Sequence, residues 1–266
     1  MKNPTRAVRT AVLIMAAVGL CGSCSAPPSA SPSAPSTSSA EAELVPQADR
    51  CGEPENPAAQ AFELTGPNGA TMPAVTVGSG STVAVLLHQT DNVAMCGWWA
   101  YANWLTTQAE VQALLFDLCG FGEAVCTEGQ FATDQIGQVE LAVAYARDHG
   151  ATRVVIVGAS MGGSVALHAA VAVDADAVVD LSGPVTWREL RAEMIAPELT
   201  LPTLIAVSPD DDIDRRAYEA FFPTIPASEK KLVIPESGHG WDMLEANDTV
   251  TPLATTVKDW IVGQYG

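Results

Sequence analysis

Short apolar runs alternate along the chain with stretches in which apolar positions recur every three or four residues. This alternation predicts strands interleaved with helices. Gln60 to Leu64 and Thr71 to Val77 read as opening strands joined by the turn Gly66-Pro67-Asn68-Gly69, which predicts an antiparallel start to a sheet. Thr82 to Leu87, Val111 to Phe116, Val154 to Val157, Ala177 to Leu181, Leu204 to Ser208 and Lys231 to Ile234 are apolar enough for strands buried on both faces. Between them, helical patterns run over Trp98 to Thr106, Ser164 to Val171, Thr186 to Ile195 and Arg215 to Phe222. Thr133 caps a predicted helix ending at His149, with Ile136, Val139 and Val143 at helical spacing and Gly150 as its stop. Pro252 opens the last helix, whose apolar face is Leu253, Val257, Trp260 and Ile261. Such alternation implies an α/β fold, a mostly parallel sheet with helices on both faces. Chemistry in these sheets gathers at the carboxyl ends of the strands, where His88, Ser160, Asp211 and His239 fall.

One strand end has the pattern of a nucleophile turn. Val154-Val155-Ile156-Val157 leads into Gly158-Ala159-Ser160-Met161-Gly162-Gly163 and then a helix. A serine hydroxyl is a poor nucleophile at neutral pH, so it must be held exposed beside a base and near donors for the developing oxyanion. A sharp strand-to-helix turn does this, and glycines two residues before and after the serine relieve its crowding. The helix opening at Met161 also supplies unpaired N–H groups, one of them a candidate oxyanion donor.

Of the four histidines, His149 sits before a helix-ending glycine and reads as a cap, and His168 lies within the helix after the turn as a packed residue. His88 ends an early strand. His239, in Glu236-Ser237-Gly238-His239-Gly240-Trp241, occupies a glycine-flanked loop after the last strand and is the candidate base. A carboxylate must orient that base. Asp210, Asp211 and Asp212 follow the preceding strand; Asp211 is preferred among them, with Asp180 as the alternative.

Composition then bounds the setting. The 266 residues, 48% hydrophobic and 17% charged, suffice for one catalytic domain of roughly 200 residues with N-terminal extras. Residues 1–24 read as an export signal: Lys2, Arg6 and Arg9 precede an apolar core, Ala11 to Leu20, too short for an ordinary membrane span. Gly22-Ser23-Cys24 resembles a bacterial lipoprotein cleavage site with Cys24 lipidated, although Cys21 stands where an aliphatic residue is usual. A plain secretory signal is the alternative. Residues 25–50, rich in Ser, Ala and Pro, read as a disordered tether, and 51–266 as the catalytic domain.

Six cysteines fit an oxidising compartment. Setting Cys21 and Cys24 aside leaves Cys51, Cys96, Cys119 and Cys126, which allow three pairings. Cys119 and Cys126 bracket a glycine-rich loop and are the favoured local pair, leaving Cys51 for Cys96. Zinc is disfavoured by the spacing. A net charge of −18 argues against nucleic acid and anionic lipid as partners.

With these residues in view, roughly residues 60–264 resemble the α/β-hydrolase superfamily, and within it small, exported, lidless esterases related to dienelactone hydrolases. The resemblance rests on the setting of Ser160, on His88-Gln89, on Asp117-Leu118-Cys119-Gly120-Phe121-Gly122, on Asp211 and on His239-Gly240. It implies a second oxyanion donor after His88, Thr90 by register with Gln89 next. Many relatives carry arginine where this chain has Cys119, so that arginine's part is lost or taken over by a disulfide. About 20 residues separate Leu181 from Pro202, too few for a helical lid, which implies an open, shallow site. Trp98, Trp99 and Trp104 either line that site or pack in the core.

The expected activity is hydrolysis of a small-molecule carboxylic ester by Ser160, His239 and Asp211, with Met161 and Thr90 as oxyanion donors and no metal or organic cofactor. Membrane contact is expected only through the lipid anchor. Amide or peptide hydrolysis by the same triad is the alternative, and an inactive surface binding protein on the same fold is a third possibility.

Overall fold

The computed structural model describes residues 50–52, 59–127, 129–211, 215–246 and 249–266. Eight strands form one sheet: β1 (Gln60–Thr65), β2 (Thr71–Gly78), β3 (Thr82–Leu87), β4 (Val111–Phe116), β5 (Arg153–Ala159), β6 (Ala177–Leu181), β7 (Thr203–Ala206) and β8 (Lys230–Val233). Their spatial order is β1-β2-β4-β3-β5-β6-β7-β8. β2 is antiparallel to both β1 and β4, and every later pairing is parallel. The antiparallel start expected from the turn at 66–69 is therefore present.

Side chains alternate across this sheet with the period of two that a pleated strand imposes. On β5, Val154 and Ile156 face one apolar core, and Val155, Val157 and Ala159 face the other. The helices α2 (Gln135–Asp148), α3 (Met161–Ala172) and α4 (Arg215–Phe221) cover the first face with Val139, Val143, Val165 and Tyr218. The helices α1 (Trp99–Gln108) and α5 (Pro252–Ile261) cover the second with Leu105, Val257, Trp260 and Ile261. Both faces are covered by apolar side chains, which is why the strands read as continuous apolar runs.

Beyond shifts of one or two residues at strand ends, as where the strand expected over 204–208 runs Thr203–Ala206, two features differ from the sequence pattern. Asp134, not Thr133, caps α2: its carboxylate accepts from Gly137 N–H at 2.9 Å, while the Thr133 hydroxyl donates to Gln130 O. An ionised oxygen at the cap also meets the positive end of the helix, so aspartate outcompetes the neighbouring hydroxyl. The helix expected over 186–195 is instead a two-residue hairpin, Thr186–Trp187 with Leu190–Arg191, followed by the short helix Ala192–Ile195. Arg188 at its tip has φ 49°, a left-handed conformation no right-handed helix accommodates. Between β6 and β7 the chain carries only this hairpin and short helical turns, with no large lid.

Candidate active site

Ser160 sits between the end of β5 and the start of α3 with φ 50° and ψ −119°, a backbone conformation that costs a non-glycine residue energy. The flanking glycines permit the turn sterically. A Cβ on Gly158 would lie 2.0 Å from Gly162 O, and one on Gly162 would lie 2.3 Å from Leu87 O. Ser160 N–H donates to Leu181 O at 2.8 Å, and Ser160 O accepts from Gly163 N–H at 2.7 Å, so the turn is tied to both neighbouring elements. Met161 contributes the first N–H of α3, a donor with no partner within the helix.

His239 lies on the loop after β8 between two glycines of positive φ, Gly238 at 99° and Gly240 at 58°. A Cβ on Gly240 would lie 2.3 Å from Gln89 Oε1 and 3.2 Å from Ala159 Cβ, so this loop seats directly against the strand end that carries Ser160. His239 Nδ1 is 2.9 Å from Asp211 Oδ1 and 3.0 Å from Oδ2. The carboxylate is an acceptor, so Nδ1 carries the proton and Nε2 presents a lone pair. The Asp211 side chain is 3% exposed and that of His239 38%, so the carboxylate is sheltered while the imidazole remains accessible. Among the described residues no hydrogen bond joins Ser160 Oγ to His239.

The other carboxylates are differently engaged. Asp210 is exposed and lies 2.7 Å from Ser208 Oγ, and Asp212 lies outside the described residues. Asp180 is buried, with its oxygens taken by Tyr218 O–H and Gly183 N–H, each at 2.7 Å. Burial pushes its carboxyl up to about 7 against the opposing effect of those two hydrogen bonds, and the nearby Asp211 charge adds to the rise. The imidazole Nδ1 therefore faces Asp211, not Asp180.

The loop after β3 is organised by buried polar groups. His88 Nε2 accepts from Leu118 N–H at 3.0 Å, which leaves Nδ1 protonated to donate to Gln89 O at 2.8 Å. Burial lowers the His88 pKa, and this network uses the neutral ring. Gln89 Nε2 donates to Asp91 Oδ2, and Asp91 Oδ1 accepts from the N–H groups of Val93 and Ala94. Gln89 and Thr90, the candidate oxyanion donors, sit inside this braced turn, Thr90 being exposed.

His149 caps α2, its Nδ1 2.8 Å from Tyr145 O. His168 is half-buried, with Nδ1 3.0 Å from Ser164 O and Nε2 accepting from Arg191 N–H. Trp98 and Trp99 pack in the core, whereas Trp104 joins Tyr101 and Trp241 in lining a pocket of about 450 Å³. Cys51 is bonded to Cys96 and Cys119 to Cys126, which removes these thiols as metal ligands. Asp117 is a hub whose partners the pattern did not disclose. Fully buried, it accepts from Met95 N–H at 3.1 Å, Glu123 N–H at 2.9 Å and the Arg50 guanidinium. Arg50 falls at the end of the segment expected to be tether, and its adjacency to Cys51 is the signal in the sequence for its place in the folded body.

A strained serine at a strand-to-helix turn, a carboxylate-held histidine after the last strand and this strand order belong to the α/β-hydrolase fold, and the chain has that fold. It is similar to the esterase Pf2001 of Pyrococcus furiosus (13% identity, TM-score 0.64, 78% of this chain and 91% of that one). It is also similar to Est1E of Butyrivibrio proteoclasticus, solved with ferulic acid bound (19%, 0.62, 77% and 99%), and to a proline iminopeptidase of Mycobacterium smegmatis (10%, 0.61, 77% and 98%). Likeness at these identities establishes the fold alone. No protein-family model and no curated protein matches the sequence.

Proposed function

We propose that the protein is a serine hydrolase that cleaves small-molecule carboxylic esters through an acyl-enzyme. The observation that carries this is a strained Ser160 between crowding-relieving glycines, with the loop of a histidine whose Nδ1 is held by a sheltered carboxylate seated against the same strand end. Ser160 Oγ attacks the carbonyl carbon, and His239 Nε2 takes its proton and returns it to the leaving alcohol. Asp211 fixes the tautomer and balances the imidazolium charge. The N–H of Met161, with that of Thr90 or Gln89, holds the oxyanion. Water then attacks the acyl carbon, and the same histidine relays its proton.

The short segment between β6 and β7 supports an open site suited to small substrates. Export is part of the proposal. Both disulfides support an oxidising compartment, while Cys24, the signal and the 25–49 part of the tether lie outside the described residues. No helix among the described residues is long and apolar enough to cross a membrane.

The test is hydrolysis of p-nitrophenyl esters from acetate upward, beside matched p-nitroanilides, by the wild type and Ser160→Ala. Ester cleavage that vanishes in the variant supports the proposal. Anilide cleavage exceeding ester cleavage moves the assignment to an amidase, and equal rates in both proteins refute serine chemistry.

A further inference from the structure

We infer that Arg50 is a positioning residue of this site, acting through Asp117 on the loop that carries Gln89 and Thr90. The inference rests on the proposed hydrolase chemistry for its catalytic consequence, although the bracing itself is structural.

Asp117 closes β4 at the carboxyl edge of the sheet and is fully buried. A buried carboxylate persists as an anion only with a compensating charge and a full set of donors. Its backbone donors are Met95 N–H, on the turn leading from the β3 loop into α1, and Glu123 N–H, on the loop closed by Cys119–Cys126. Its counter-charge comes from 67 residues away in sequence: Arg50 Nη1 and Nη2 engage both oxygens in the two-pronged geometry of a guanidinium–carboxylate pair.

The Arg50 backbone is held in place covalently, since the next residue, Cys51, is bonded to Cys96. Met95, Cys96 and Gly97 thus receive three constraints in succession: the Asp117 carboxylate, the Cys51 sulfur and the ring of Trp241. A Cβ on Gly97 would lie 2.1 Å from that ring, which stands two residues beyond His239. Upstream, Asp91 ties Gln89 to Val93 and Ala94, so the rigid 95–97 segment anchors the far end of the turn holding the candidate oxyanion donors. An oxyanion donor acts only if preorganised, because a donor that must reorganise during reaction loses its advantage over water. Removing Arg50 leaves Asp117 without its charge partner, and a carboxylate no longer clamped on both oxygens can turn away and release Met95 N–H.

The experiment compares the full chain, disulfides formed, with Arg50→Lys, Arg50→Ala and Cys51→Ala/Cys96→Ala. It reads amide hydrogen exchange together with kcat and KM for a p-nitrophenyl ester. In Arg50→Ala, exchange over 89–97 is expected to quicken selectively and kcat to fall about tenfold or more with KM within about twofold, as for a partly misplaced oxyanion donor. Millimolar guanidinium, which fits the vacated site, is expected to restore both. Arg50→Lys keeps the charge but not the fork, so it is expected to fold and show the same changes at smaller amplitude. The disulfide variant is expected to move the same amides.

Unchanged exchange and kcat in both arginine variants would overturn the inference. So would exchange that rises equally throughout the domain, or an Arg50→Ala protein that guanidinium does not restore. Selective loosening of 89–97 in a chain whose wild type cleaves no ester would sink the esterase proposal and leave the bracing standing.

Discussion

The proposed base side and the proposed oxyanion side of the site are built in opposite ways. His239 stands on a loop flanked by two glycines, its side chain 38% exposed, and its ring is held through Nδ1 by hydrogen bonding to the Asp211 carboxylate. The loop of Gln89 and Thr90 is instead fixed by a buried histidine, two carboxylates and a disulfide. The difference matches what the proposed mechanism asks of each side. An imidazole that takes a proton from Ser160 and hands it to a leaving group tolerates, and uses, small rotations. A pair of N–H groups that stabilises a charge works only while fixed.

Breaking the base side should therefore give the largest effects on rate and small ones on stability. Ser160→Ala, His239→Ala and Asp211→Asn are each expected to lower kcat by roughly 10⁴-fold, with thermal unfolding little changed. Steady-state ester kinetics beside a melting curve check this. Equal losses in kcat and in folded fraction would erase the distinction drawn between the two sides.

The turn between the two sides should respond in stability first. Gly162→Ala drives a methyl group to 2.3 Å from Leu87 O, backbone that cannot yield cheaply, and is expected to cost several kcal/mol, about 3 or more. Urea unfolding measures it. On the oxyanion side, Asp117→Ala removes the acceptor of three donors and is expected to destabilise by about 3 kcal/mol, since Arg50, Met95 N–H and Glu123 N–H lose their partner together. A denaturant midpoint equal to that of the wild type would show the hub to be dispensable.

Asp180 gives the pH dependence its sign. Its folded-state carboxyl is raised from 3.8 to about 7, chiefly by burial, so between these values the folded chain holds a proton that the unfolded chain has lost. Its contribution is fully present below pH 3.8 and is lost as pH rises towards 7. The expected slope is at most about −1.4 kcal/mol per pH unit. Asp180→Asn should flatten that slope while leaving His239 paired with Asp211, and urea titrations at several pH values in both proteins test it. The smallest effect is expected of Asp210→Asn. This carboxylate is exposed and, among the described residues, accepts from Ser208 Oγ alone, so the rate should stay within about twofold.

The two sides also differ in how far the sequence discloses them. The base side and the nucleophile turn are local motifs: Gly158 to Gly162 and Gly238 to Gly240 each declare their geometry within a few residues, because backbone crowding selects glycine there. The strands were legible for the same reason, since a sheet covered on both faces demands continuous apolar runs. Asp211 could be preferred over its neighbours but not separated from them by pattern, since only folding decides which of three adjacent carboxylates is sheltered. The oxyanion side joins Arg50 to Asp117 and His88 to Leu118, contacts with no periodicity to read; its Cys51–Cys96 bond is legible only as the pair left once Cys119 and Cys126 are joined. The hairpin at 186–191 was misread because Arg188 adopts a left-handed conformation that nothing in its residue type announces.

The central claim is that Ser160 is a nucleophile activated by His239, and covalent trapping tests it most directly. The full chain would be incubated with a fluorophosphonate and its intact mass followed over time, beside Ser160→Ala and His239→Ala. A single adduct mapped to Ser160, absent from Ser160→Ala and formed far more slowly in His239→Ala, is the predicted result. No adduct on the wild type, or labelling of Ser160 at the same rate without His239, would contradict it.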